Sequence, residues 1–307
     1  MIHVIINTSS GSEKGCNSEK IIKNYLSDAG EEYRFYRTGK AGDIADFARS
    51  ITKGSDKMTH IMLAGGDGSI NELLSGIEDT RKTVLSIIPT GSGNDFARAV
   101  KIPHDIKKAL DIAVRRKRTK AIDLGEVRYE NGETRKFLIS AGIGFDAAVC
   151  EEALNSETKK KLNKIGLGRL SYGVIALRQI FGALRPDGYI SFDGGEKIRI
   201  KRILFAAFMN EPFEGGGFRF APNASHSDGK LDICLADRIS GFKFFIALPF
   251  GLTGKHFIFK NVNEYHAEKI NIHLCYPLWV HTDGEVSKQA EDLEIRALKS
   301  AINITLP

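Results

Sequence analysis

The segment Thr59-His-Ile-Met-Leu-Ala-Gly-Gly-Asp-Gly-Ser-Ile-Asn-Glu-Leu-Leu-Ser-Gly76 constrains the fold more than any other part of this chain. Ile61, Met62, Leu63 and Ala64 form a short apolar run of the kind that makes a buried strand. Gly65, Gly66 and Gly68 then surround a single acid, Asp67. Ser69 is expected to be a helix N-cap, with Glu72 three residues on and Leu73 and Leu74 beyond. Strand, glycine turn and capped helix in succession expose backbone N–H groups at a helix N-terminus, where phosphate binds without side-chain charge. Asp67 cannot itself attract phosphate. An acid among such amides implies a metal ion or a hydroxyl between them.

The same alternation continues on both sides. Strands are expected at 3–6, 32–37 and 83–88, with a helix at 18–29 capped by Ser18 and another opened by Asp43. This is the pattern of an open, mainly parallel α/β sheet, in which ligands bind beyond the carboxyl ends of the strands. The loops at 7–12, 38–43, 65–69 and 89–95 all fall on that edge.

After residue 120 strands dominate: 121–128, 135–142, 188–192, 197–209, 231–236, 268–274, 277–281, 292–297 and 302–306. Helices are expected near 145–154, 161–184 and 240–250. Many short strands with polar turns point to an antiparallel sandwich. The reading is therefore an α/β nucleotide-binding domain over 1–122 and a β-rich sandwich domain over 123–307, its last segment able to pack back on the first.

With 42% hydrophobic and 27% charged residues, the chain can build sizeable cores. The start, Met1-Ile-His-Val-Ile-Ile, lacks the features of a signal peptide, and no segment approaches a membrane span. Four cysteines, Cys16, Cys150, Cys234 and Cys275, are far apart and read as reduced thiols of a cytoplasmic protein. The net charge of +6 gathers at Arg115-Arg-Lys-Arg118 with Lys120, and at Lys159-Lys-Lys161 with Lys164. Both clusters suit solvated helix ends or an anionic membrane surface. Nucleic acid is disfavoured, because no aromatic residues are interleaved with them.

Pro89-Thr-Gly-Ser-Gly-Asn-Asp-Phe96 is a second glycine turn, with Asn94 expected to cap the next helix. Neither turn has the lysine of a Walker A motif, which excludes a P-loop NTPase. Asp228-Gly229 reads as a turn whose carboxylate and neighbouring carbonyls suit a hard cation. Trp279-Val-His-Thr-Asp-Gly-Glu285 is a strand entering a turn with two acids, one of which could accept a hydroxyl proton. His281 is a further candidate base, although such a histidine is more often structural. The apolar segments 173–184 and 242–250 are core helices, or else an apolar cleft or membrane-contact surface.

Four motifs in order, Gly65-Gly-Asp-Gly-Ser69, Pro89-Thr-Gly-Ser-Gly-Asn-Asp-Phe-Ala-Arg98, Ala221-Pro through Asp228-Gly-Lys-Leu-Asp232, and Asp283-Gly-Glu285, resemble the diacylglycerol kinase catalytic family. The likeness is closest to the bacterial soluble lipid kinases, related to sphingosine kinases and more distantly to NAD kinases. It implies a nucleotide-binding α/β domain of NAD kinase-like type, a β-sandwich domain, and an active site between them. By position, Asn7, Thr8, Ser9, Ser10 and Gly11 match a first phosphate loop, with Thr8 where the family has proline. Thr38 matches a nucleotide contact. Gly65, Gly66, Asp67, Gly68, Ser69, Asn71 and Glu72 match the signature loop, Ser69 replacing the common threonine. Thr90, Gly91, Ser92, Asn94 and Asp95 match the next. Ser225, Asp228 and the carbonyl of Lys230 match a structural Mg²⁺ site, and Asp283 and Glu285 the pair from which the general base is drawn.

The resemblance thus implies ATP-dependent phosphorylation of a lipid hydroxyl, most simply diacylglycerol to phosphatidate. Asp67 would organise Mg²⁺ and nucleotide. The expected partners are a lipid substrate, an anionic membrane touched peripherally, and a second copy of the chain in a homodimer. The rival readings are an NAD kinase-like enzyme with a soluble substrate and a nucleotide-sensing protein without turnover.

Overall fold

The computed structural model describes residues 1–11, 14–115, 118–155 and 168–307. The basic cluster at Lys159-Lys-Lys161 with Lys164, the middle of the Arg115–Arg118 cluster, and residues 161–167 of the expected helix lie outside the described residues.

The first half is a parallel sheet. Strands β1 (Ile2–Ile6), β2 (Tyr33–Arg37), β3 (Thr59–Gly65) and β4 (Thr83–Pro89) lie in the order β4-β3-β1-β2. They alternate with α1 (Lys14–Asp28), α2 (Asp43–Thr52), α3 (Asp67–Gly76), a short α4 (Asp95–Ala99) and α5 (Ile106–Arg115). α1 packs with α5 and α2 with α3. Strands covered on both faces need apolar side chains in both directions. Val4, Ile5, Ile6, Ile61, Met62, Leu63 and Ala64 are accordingly fully buried.

The second half comprises β5 (Thr119–Tyr129), β6 (Thr134–Phe137), β7 (Ser140–Gly144), β8 (Gly188–Phe192), β9 (Ile198–Ile200), β10 (Ile203–Met209), β11 (Leu231–Asp237), β12 (Val262–Ala267), β13 (Lys269–Thr282) and β14 (Glu285–Thr305). Its strand pairs are antiparallel, and their inner residues, among them Phe137, Phe208, Ile233 and Leu293, form one core. Helices α6 (Phe145–Asn155), α7 (Gly168–Gly182) and α8 (Gly241–Gly251) lie over β10 and β11, where Phe244 packs edge-on with Phe145 and Phe205, themselves tilted to each other.

β14 joins the halves. It pairs with β13 and β5, and at Asn303 and Ile304 it lies parallel to β4. One sheet of order β12-β11-β10-β7-β13-β14-β4-β3-β1-β2 therefore runs through the molecule. The register of β14 shifts between Leu298 and Ile302, where Ser300 adopts φ 49°. Buried Asp123 pins that shift, its carboxylate accepting from Ser300 N–H and from Gly229 N–H, both at 2.7 Å.

Several expected details differ. The strands expected at 268–274 and 277–281 are one strand with a bulge, as are those at 292–297 and 302–306, and β12 was not expected. The segment 135–142 is instead split at Leu138 and Ile139, because their N–H groups turn to a side chain rather than a neighbouring strand.

The caps also differ. Ser18 lies inside α1, on its buried face, and α1 begins a turn earlier. Asp43 is not a cap either; its Oδ2 accepts from Gly39 and Lys40 N–H and closes the preceding turn. α2 takes its cap from a distance, with Glu72 Oε1 accepting from Gly42 and Ile44 N–H at 2.8 and 3.1 Å. That use removes Glu72 from a capping box on its own helix. Ser69 stands inside α3, which starts at Asp67 after Gly66.

The segments at 173–184 and 242–250 are helical in large part but not simply core. Phe181, Leu184, Phe242 and Phe245 are 62%, 64%, 66% and 48% exposed.

Candidate active site

β1, β3 and β4 end side by side, and their loops meet. A Cβ on Gly66 would approach Gly91 Cα to 2.9 Å, so the two glycine loops touch backbone to backbone. A side chain on either would separate them. Asp67 fastens the contact, with Oδ2 accepting from Asp95 N–H at 2.9 Å and Oδ1 from Phe96 N–H at 3.2 Å. The acid of the first loop is thus the cap of α4 at the second. Asn94, the expected cap, has φ 54° and uses Nδ2 to donate to Gly91 O. Burial outweighs these bonds and raises the pKa of Asp67 above its usual value.

Ser10 and Thr90 join the first and second loops by a hydroxyl contact of 2.7 Å. Asn7 Nδ2 donates to Ser69 Oγ at 2.8 Å, and Asn7 Oδ1 accepts from Ser9 N–H at 3.0 Å. Thr8 Oγ1 donates to Thr38 O at 2.9 Å. Hydroxyls and amides therefore set the spacing of these loops.

The loops form one wall of a cleft of about 860 Å³. Asn7, Ser10, Gly11, Gly66, Asp67, Gly68, Ser69, Asn71, Glu72, Gly91 and Ser92 line it, whereas Thr8, Ser9, Thr38, Gly65, Thr90, Asn94 and Asp95 do not. The opposite wall comes from the second half of the chain: Thr134, Arg135 and Lys136 on β6, with Thr282 and Glu285. Glu285 faces the signature loop so closely that a Cβ on Gly68 would lie 2.8 Å from Oε1.

Asp283 and Gly284 form a two-residue turn with φ 50° and 82°, the signs of a type I′ hairpin, and Glu285 follows it directly. The surroundings of the two acids are opposite. Asp283 is buried, and its carboxylate accepts from Leu138, Ile139 and Ser140 N–H at 2.8–3.1 Å and from Asn71 Nδ2 at 3.0 Å. These are the amides that break the strand after β6. Burial raises the Asp283 pKa despite them. Glu285 is exposed to the cleft.

Ser225, Asp228 and Lys230 lie apart from the cleft. Asp228 Oδ1 accepts from Lys230 N–H at 3.0 Å, and Ser225 Oγ is 3.2 Å from Ser227 Oγ. Hydroxyl, carboxylate and carbonyl are hard oxygen donors, so in kind they fit a Mg²⁺ ion completed by water.

Arg135 and Lys136 were missed by sequence reasoning. Arg135 Nη1 is buried without a partner among the described residues, an orphaned cationic donor at the cleft wall. Two adjacent basic residues before an apolar run were the available signal, but only the pairing of β6 with β5 brings them to this wall.

Residues 1–127 match the family described as Diacylglycerol kinase catalytic domain, and residues 139–305 the YegS C-terminal NAD kinase beta sandwich-like domain. A diacylglycerol kinase of Mycobacterium tuberculosis is 32% identical over 271 residues, covering 87% of this chain and 83% of that one. A crystal structure of a diacylglycerol kinase from Bacillus anthracis superposes with a TM-score of 0.70 at 20% identity, over 100% of this chain and 96% of that one. Yeast NADH kinase with bound NADH shares the fold more distantly, with a TM-score of 0.54 at 10% identity, over 99% and 82%. The family match and the relatives make this chain an ATP-dependent phosphotransferase with an alcohol as acceptor, on a fold of the NAD kinase-like type. Within that class, the chain belongs to the diacylglycerol kinase catalytic family.

Proposed function

We propose that this chain phosphorylates a lipid hydroxyl from ATP, with diacylglycerol as acceptor and phosphatidate as product. The observation that carries the reading is Glu285, a carboxylate exposed to the cleft and aimed at Gly68 across it. Amides of the glycine loops hold the ATP phosphates, and Ser10, Ser69 and Ser92 add hydroxyl contacts. Glu285 takes the proton of the lipid hydroxyl as that oxygen bonds to the γ-phosphorus. The bond from the γ-phosphorus to the bridging oxygen breaks, and ADP leaves with the electron pair. Arg135 and Lys136 offset the charge spread over the transferring oxygens.

Of the two acids, Glu285 is the base and Asp283 the anchor of its turn, since every oxygen of Asp283 already accepts hydrogen bonds. Mg²⁺, when bound, supplies charge neutralisation at the phosphates near Asp67 and holds the turn of Ser225, Asp228 and Lys230. The protein meets its substrate at an anionic membrane surface, without a membrane-crossing helix among the described residues.

Incubation with labelled ATP and mixed lipid micelles tests the reading, with NAD as the soluble alternative. Labelled phosphatidate is the expected product. Label transferred to NAD, or ATP bound with no phosphorylated lipid from a total lipid extract, would overturn it.

A further inference from the structure

Behind the Glu285 turn lies a buried charged cluster that this reaction does not use. His281, wholly buried in β13, places Nε2 3.2 Å from Glu214 Oε1 and 3.3 Å from Asp146 Oδ2. Asp146 comes from the first turn of α6, and Glu214 from the loop after β10. The cluster occupies the space a Cβ on Gly142 would need, so the sequence keeps room for it.

On the other edge of the ring, Gly284 N–H donates to Nδ1 at 3.2 Å. An amide N–H can only donate. Nδ1 is therefore an acceptor, and the ring proton sits on Nε2, between the two carboxylates. Burial, with Asp146 beside it, pushes Glu214 up to about 7.

Burying such a group costs stability that a well-packed apolar side chain would not. An apolar side chain, however, could not accept the N–H of Gly284. The contact matters because Gly284 precedes Glu285 directly. Asp283 fixes one side of the turn through the amides of residues 138–140, and His281 fixes the other.

The cluster also reaches the nucleotide side. Glu214 opens a loop closed by its bridge to Phe218, and Gly216 N–H of that loop donates to Asp95 Oδ2 at 2.7 Å. The backbone of Asp95 in turn donates to Asp67. A closed circuit runs from the Glu285 turn through His281, Glu214 and Asp95 to the glycine loop that Glu285 faces.

We infer that His281 is a positioning residue for phosphoryl transfer, holding the Glu285 turn against the glycine loop through its Nδ1 and the Gly284 amide, while Glu214 and Asp146 keep the ring proton on Nε2. The inference rests on the kinase reading above and adds a requirement to it.

Two substitutions separate the edges of the ring. His281→Asn keeps an acceptor near Nδ1 and loses Nε2; His281→Gln keeps a group toward the carboxylates and loses the Nδ1 acceptor. Each is made also with Glu214→Gln, so that Glu214 and Asp146 are not left as two carboxylates facing each other without the imidazole if the single variant fails to fold. The lipid kinase assay should give His281→Gln a kcat lower by about tenfold or more, with KM for ATP and lipid little changed, because a small misplacement of a reacting group is that costly. His281→Asn should recover most of the loss. Hydrogen exchange of the Gly284 amide should quicken in the glutamine variant and stay slow in the asparagine variant, a readout that needs no turnover. Inactivity of the unmodified chain toward lipid would strike the kinase reading alone. Full kcat in the glutamine variants, equal loss in the asparagine variants, or unchanged Gly284 exchange would overturn the positioning role.

Discussion

Two carboxylates two residues apart were indistinguishable as letters in Asp283-Gly-Glu285, and their environments separate them. Asp283 spends its acceptor capacity on three amides and one side-chain amide, whereas Glu285 faces the cleft. Glu285→Gln should lower kcat by about 10²–10⁴ with little change in melting temperature. Asp283→Asn places an NH₂ among donors and should cost about 1–3 kcal/mol of stability, measured by denaturant unfolding. Full turnover in Glu285→Gln would remove it as base. Legibility was uneven at this scale. Gly66 and Gly91 were readable as loop glycines, but their mutual contact, and the use of Asp67 and Glu72 to cap helices other than their own, depend on neighbours distant in sequence.

Element by element, the periodicity located the strands of the first half well, because buried parallel strands read as unbroken apolar runs. It was less clear for β13 and β14, whose bulges look like gaps, and for α7 and α8, whose apolar faces look like core. α8 buries Phe244, Ala247 and Gly251 but leaves Phe242, Phe245 and Ile246 outside. Residues 241–260 carry three lysines, Lys243, Lys255 and Lys260, and no acid. An exposed apolar face with only basic charge is suited to lie in the headgroup region of an anionic bilayer. The Phe242→Ser, Phe245→Ser double variant should lose about tenfold or more in sedimentation with anionic vesicles, each phenylalanine contributing about 1.5–3 kcal/mol when buried. ATP binding should not change. Equal sedimentation of the variant would exclude this face.

Across the whole molecule, the α/β start and the β-rich remainder were legible from the change of pattern, while the pairing of β14 with β4 that runs one sheet through both was not. The His281 cluster adds a pH dependence. Burial, with Asp146 beside it, holds Glu214 up to about 7, while His281 keeps Nδ1 unprotonated to accept from Gly284. That value lies above the unfolded one near 4.5, so the folded chain holds the Glu214 proton more tightly. Its contribution is complete below the unfolded value and is lost as pH rises from about 4.5 to about 7. The melting temperature should therefore fall from pH 4.5 to pH 7, and fall less in His281→Asn, Glu214→Gln. The reverse slope would contradict the arrangement.

The pairing of β14 with β4 has a consequence for how the chain is made. Ile302 and Ile304 are fully buried in the core of the first half, so Ile302→Ala or Ile304→Ala should each cost about 2–5 kcal/mol. Synthesis proceeds from the other end. β1 to β4 leave the ribosome long before residues 302–305 exist, and until then the edge of β4 has no neighbour to accept its backbone hydrogen bonds. An open parallel edge of that kind recruits stray strands. The first half therefore completes its sheet only once residues 303 and 304 have been made and can reach β4.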